Sequence, residues 1–138
     1  MSLQSIFDFH NDVLTDFLRG DCEVLAYILY MIMKKNKIKS DVVFTSSSDR
    51  PFLHVMVLYK NKYIDILGVH SHKLVCLNHE ILYNVDRSDI YFTKYKPRDF
   101  ERKMEWYHKN ENPNDWKYAE RYASIIFNSH QFRSLIDS

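Results

Sequence analysis

The sequence predicts an α+β domain in which N-terminal helices, including a buried central helix, pack on a mostly antiparallel sheet, followed by a C-terminal helical pair. Three observations carry this. Apolar residues recur at three-and-four spacing up to about residue 35, short alternating runs replace them from Asp41 to Thr93, and helical spacing returns after Pro97. With 138 residues and 46% hydrophobic content, the chain holds enough apolar material for one core, so residues 1–138 are expected to form a single domain.

Ile6, Phe9, Val13, Leu14, Phe17 and Leu18 mark one face of a first helix from Ser5 to Arg19, with Gly20 placed to end it. Asp21 is a suitable N-cap for a second helix that starts at Cys22 and Glu23 and runs to about Lys35. Leu25, Ile28, Leu29 and Ile32 occupy one side of it and Tyr27, Tyr30 and Met31 the others, as in a helix covered all round. The apolar run from Val24 to Met33 has ten residues. A bilayer needs about twenty, so this is a core helix and no membrane association is expected.

Strands are expected at Asp41–Thr45, Leu53–Lys60 and Tyr63–Val69, the last two joined by a turn at Asn61 and Lys62, and again at Lys73–Leu77, Ile81–Asn84 and Ile90–Thr93. Pro97 opens a helix through about His108, and Asn112-Pro113-Asn114 separates it from a last helix, Asp115 to Asn128, striped by Trp116, Ala119, Tyr122, Ala123 and Ile126.

Composition removes several classes of function. Gly20 and Gly68 are the only glycines, which excludes a P-loop or a dinucleotide fingerprint. Nineteen basic against eighteen acidic residues leave a net charge of +1, so no overall field draws the protein to nucleic acid or an anionic membrane. Between Tyr91 and Tyr122, basic and aromatic residues alternate, but six acidic residues are mixed among them, and the segment reads as solvated helices with core aromatics. The start, Met1-Ser2-Leu3-Gln4-Ser5, lacks the pattern of a secretory signal, which favours a cytoplasmic location and reduced thiols at Cys22 and Cys76. The abundance of Lys, Asn, Ile and Tyr is the coding bias of an AT-rich genome, such as that of a phage or a low-GC bacterium.

Three residues carry the strongest chemical signal. Cys22 lies in the first turn of a helix, where the dipole and a nearby imidazolium favour the thiolate and unpaired backbone N–H groups can receive an oxyanion. His54 sits in the run His54-Val55-Met56-Val57, on the face of Met56 and Leu58. Asp65 is flanked by Ile64 and Ile66, where a carboxylate is costly without a partner. A nucleophile, a base and an orienting acid arrive in that order. If Lys60 pairs with Tyr63, Asp65 lies opposite Leu58, roughly 13 Å along the strand from His54; a longer loop that places Asp65 opposite Met56 or His54 itself brings the pair into reach, an even shift keeping the face and a one-residue slip destroying it.

Gly20-Asp21-Cys22-Glu23-Val24-Leu25-Ala26, with His54-Val55-Met56-Val57 and Tyr63-Ile64-Asp65-Ile66-Leu67-Gly68, resembles the papain-like and transglutaminase-like cysteine enzymes over residues 18 to 69. The resemblance implies a catalytic triad of Cys22, His54 and Asp65, a protein or peptide substrate, and no metal or organic cofactor. Hydrolysis of an amide or ester is the default reaction, with isopeptide cleavage, deamidation and acyl transfer open to the same chemistry. Papain-like enzymes commonly complete the oxyanion hole with a Gln a few residues upstream; the neighbours here include Thr15 and Asp16 but no Gln. Glu23 would oppose a thiolate beside it. These departures leave room for a different class, a non-catalytic phage or mobile-element module that binds a host protein. His70, His72, Cys76 and His79 contain zinc-ligand types without a paired-cysteine motif, and Cys76 between Val75 and Leu77 reads as core.

Overall fold

The computed structural model describes residues 22–110 and 113–138. The expected helix from Ser5 to Arg19, with Gly20 and Asp21, lies outside them. Within them the order is α1 (Cys22–Lys35), β1 (Asp41–Ser46), β2 (His54–Tyr59), β3 (Lys62–Asp65), β4 (Gly68–His70), α2 (His72–Tyr83), a 3₁₀ turn (Arg87–Asp89), β5 (Tyr91–Lys94), α3 (Pro97–Asn110), α4 (Pro113–Phe127) and α5 (His130–Asp137). The fold is α+β, with the C-terminal helical pair α3 and α4 joined by the short α5. All strand pairs are antiparallel, in the order β4-β3-β2-β1-β5.

Strand alternation divides the buried side chains between two faces. Val42, Val55, Val57, Ile64 and Ile66 meet α1 on one side, where Leu25, Ile28 and Leu29 join Phe100 and Met104 of α3, Ala119, Tyr122, Ala123 and Ile126 of α4, and Phe132 of α5. Helix α1 is therefore covered on both sides, which accounts for its apolar circumference. Ala119 and Ala123 of α4, the main helical neighbour of α1, are fully buried, where a small side chain permits close approach. The opposite sheet face carries Val43, Thr45, His54, Met56 and Asp65, with Val75, Cys76 and His79 of α2 buried against it.

Two expectations about β-structure are corrected. The segments Lys73–Leu77 and Ile81–Asn84 are not strands but belong to α2 and its C-cap, Asn84. Ser71 caps that helix by accepting from the Leu74 N–H at 3.2 Å, Asn84 closes it in the left-handed region at φ 51°, and Val75, Cys76 and His79 bury one stripe. Short apolar runs fit either period, and here the cap decides. Tyr63–Val69 is likewise not one strand: it turns at Ile66 and Leu67, and Asp65 pairs with Gly68, whose φ of 115° favours a residue without a Cβ.

The preceding hairpin also turns one residue earlier than expected. Lys60 and Asn61, with φ of 48° and 61°, form the two-residue connection, and Tyr59 pairs with Lys62, Leu58 with Tyr63 and Val57 with Ile64. Continuing that register puts Asp65 opposite Met56, two residues from the Leu58 position anticipated, and the shift preserves the face.

Candidate active site

That register makes His54 and Asp65 diagonal neighbours at the end of adjacent strands. Nε2–H of His54 donates to Oδ2 of Asp65 at 2.9 Å, with the two side chains 3% and 7% exposed. Asp65 Oδ1 accepts from Nε2–H of His70 at 3.1 Å and from the backbone N–H of Leu67 at 2.9 Å. The carboxylate that the sequence left in apolar surroundings is therefore satisfied on both oxygens.

Burial by itself would raise the Asp65 pKa, but the hydrogen bonds from His54 and His70 outweigh it and hold the carboxyl well below its usual range. Burial likewise works against a charged His54 ring. The hydrogen bond to Asp65, followed by hydrogen-bonding and charge effects of Cys22, overcomes that penalty and raises the imidazole well above its ordinary value. Both shifts favour the imidazolium–carboxylate form of the pair.

Cys22 begins α1, as its spacing suggested, and shares with His54, Asp65, Ala26 and Ile64 a narrow recess too tight to hold water. Its side chain bears directly on the His54 ring, while Nδ1, the ring nitrogen not used by Asp65, makes no aligned hydrogen bond among the described residues. All three anticipated residues thus meet at one place. The sulfur is not open to solvent, since Cys22 is 2% exposed. Cys76 is also a free, buried thiol, on α2.

Glu23 does not face the sulfur uncompensated. Its Oε2 accepts from Lys103 Nζ at 2.6 Å and from the Tyr95 hydroxyl at 3.4 Å. Burial, then the Glu23 charge, and finally Cys22 push the Tyr95 phenol up, so it remains a donor.

Sequence reasoning missed His70 and His79 as members of this network. The His79 ring meets the His54 ring edge-on at 5.9 Å between centroids and packs on Tyr83 at 5.1 Å. Burial, then the charge on His54, lowers its pKa to about 4. A neutral ring fixes the tautomer: Nδ1–H donates to Val75 O at 2.9 Å, and Nε2 accepts the Thr45 hydroxyl proton at 2.7 Å. The available signal was weak, because His70 and His79 fall where strand and helix patterns are hard to tell apart. Among the described residues, no group of three or more His, Cys, Asp or Glu side chains is arranged to hold a metal ion. None of their helices is long and apolar enough to cross a membrane.

A roomier concavity, about 580 Å³, lies elsewhere, lined by Tyr27, Ile28, Met31 and Trp116 between α1 and α4, and contains none of the three residues. Comparison with family models, curated proteins and solved structures finds no match.

Proposed function

We propose that the protein is a papain-like or transglutaminase-like cysteine enzyme acting on an amide or ester carbonyl, with hydrolysis of a protein or peptide substrate as its reaction. The single observation carrying this reading is that His54 lies between a buried carboxylate and the side chain of the first residue of a helix. In the reaction, Cys22 thiolate attacks the carbonyl carbon, and the N–H groups of the first turn of α1, which have no acceptor within the helix, receive the oxyanion. The His54 imidazolium protonates the leaving amine or alcohol as the C–N or C–O bond breaks, leaving a thioester on Cys22. Neutral His54 then takes a proton from water as it attacks the thioester, and the carboxylic acid and Cys22 are released. Asp65 keeps the ring in one orientation throughout. Access to the sulfur requires the recess to open.

The burial of Cys22 favours a second reading, in which the same network only stabilises a binding module for a host protein. Alkylation with iodoacetamide at pH 6, followed site by site by mass spectrometry, separates the two. Cys76 is the internal control, because burial pushes its thiol pKa up. The enzyme reading expects Cys22 to react at least about tenfold faster than Cys76, and to lose that advantage in His54→Ala. Equal, slow labelling of both would leave the binding module.

A further inference from the structure

Asp65 serves two histidines, and only one of them faces the thiol. His54, Asp65 and His70 run diagonally across β2, β3 and β4 on one sheet face, since Asp65 pairs with Gly68 and Tyr63 with His70. The His70 side chain is 8% exposed; its Nε2–H reaches Asp65 Oδ1, and its Nδ1 has no hydrogen-bond partner among the described residues. A buried polar atom without a partner costs free energy, and the bond from Nε2–H to Asp65 is the interaction that offsets it here. The His70 strand is fixed on both sides. The Val69 N–H donates to Gln131 Oε1 of α5 at 3.0 Å, and Ser71 directly after His70 caps α2.

We propose that His70 is a positioning residue of this site: together with the Leu67 N–H it occupies Oδ1 of Asp65, so that Oδ2 is presented to His54 in a single orientation. A carboxylate turns easily about its terminal torsion, and donors on one oxygen restrict that turn. The catalytic meaning of this role rests on the cysteine-enzyme reading. Among the described residues, the groups that face His54 are Cys22 from α1, Asp65 from β3, and His79 and Tyr83 from α2, with the uncharged Thr45 on β1. His70 acts on it only through Asp65.

The test is the titration of the His54 ring, followed by NMR in the full chain with labelled histidine. His70→Gln keeps an N–H near the place of Nε2 and is expected to hold the His54 midpoint within about 0.3 unit of wild type, whereas His70→Leu lowers it by about one unit or more. His70→Asn, too short to reach Asp65, supplies the same comparison if the leucine variant does not fold. A purely structural His70 would cost stability and leave the midpoint in place; an unmoved midpoint in a folded His70→Leu or His70→Asn variant, or a glutamine variant as shifted as these, overturns the proposal. Cys22 alkylation at pH 6 in the same variants is expected to slow about tenfold in step with the shift. Should wild-type Cys22 react no faster than Cys76, the enzyme reading fails while the His54 midpoint still decides the role of His70.

Discussion

Lys103 Nζ stands 2.6 Å from Oε2 of Glu23, the residue beside Cys22. The contact joins the start of α1 to α3 and draws a negative charge to a cation across the helix interface. Lys103 is 45% exposed, so the pair is screened and its effect modest. Lys103→Met is expected to slow Cys22 alkylation about two- to fivefold at low salt, and the double variant Glu23→Gln/Lys103→Met to restore it. A rate insensitive to both changes would show that Glu23 is without influence on the sulfur.

Asp65→Asn replaces an oxygen that accepts from imidazole with an NH₂ that cannot, and leaves a buried cation without its counter-charge. Loss of one member of such a pair costs about 3 kcal/mol. Urea unfolding is expected to register this as a lower midpoint at unchanged slope.

The buried histidines give stability a pH optimum. Folding raises the His54 pKa from 6.5, so its contribution is complete below pH 6.5 and is lost as pH rises through the folded value. Asp65 is depressed from 3.8, and its contribution is present above that value and lost as pH falls toward the folded value. His79 is lowered to about 4, so between pH 6.5 and that value the unfolded chain takes a proton that the folded chain refuses, and stability falls with acid. Together they place the maximum near pH 6.5. His79→Gln is expected to flatten the slope between pH 4 and 6.5 in a series of melting temperatures; an unchanged slope there would place the acid sensitivity elsewhere.

Lys60, at the tip of the β2–β3 hairpin, donates to the carbonyls of Leu135, Ile136 and Ser138 at 2.9–3.1 Å. These bonds satisfy acceptors that the end of α5 cannot pair for itself. Lys60→Met is expected to speed amide exchange in the last turn of α5 while β2 and β3 exchange as before. Equal protection in the two proteins would assign the helix end to its apolar contacts alone.

Cys22, His54 and Asp65 were legible because each sits where its chemistry conflicts with a plain core: a thiol at a helix start, an imidazole in a valine-rich strand, a carboxylate between two isoleucines. His70 was not. If Tyr63 to Val69 ran on as one strand, residues five apart would point to opposite faces, and only the turn at Ile66 and Leu67 returns His70 to the side of Asp65. His79 was hidden in the same way, since its meeting with Thr45 depends on residues 72–83 being a helix. Glu23 looked adverse because its partner Lys103 lies eighty positions along the chain.

By itself the sequence determined the fold class, the burial of α1 and the three candidate residues, because periodicity, caps and misplaced polar groups are local properties. Tertiary structure alone decided the hairpin register, the second imidazole on Asp65, the neutral state of His79 and the closure over Cys22. Each of these depends on which strand end meets which helix, and a buried group takes its charge and its freedom from neighbours that are distant in the chain.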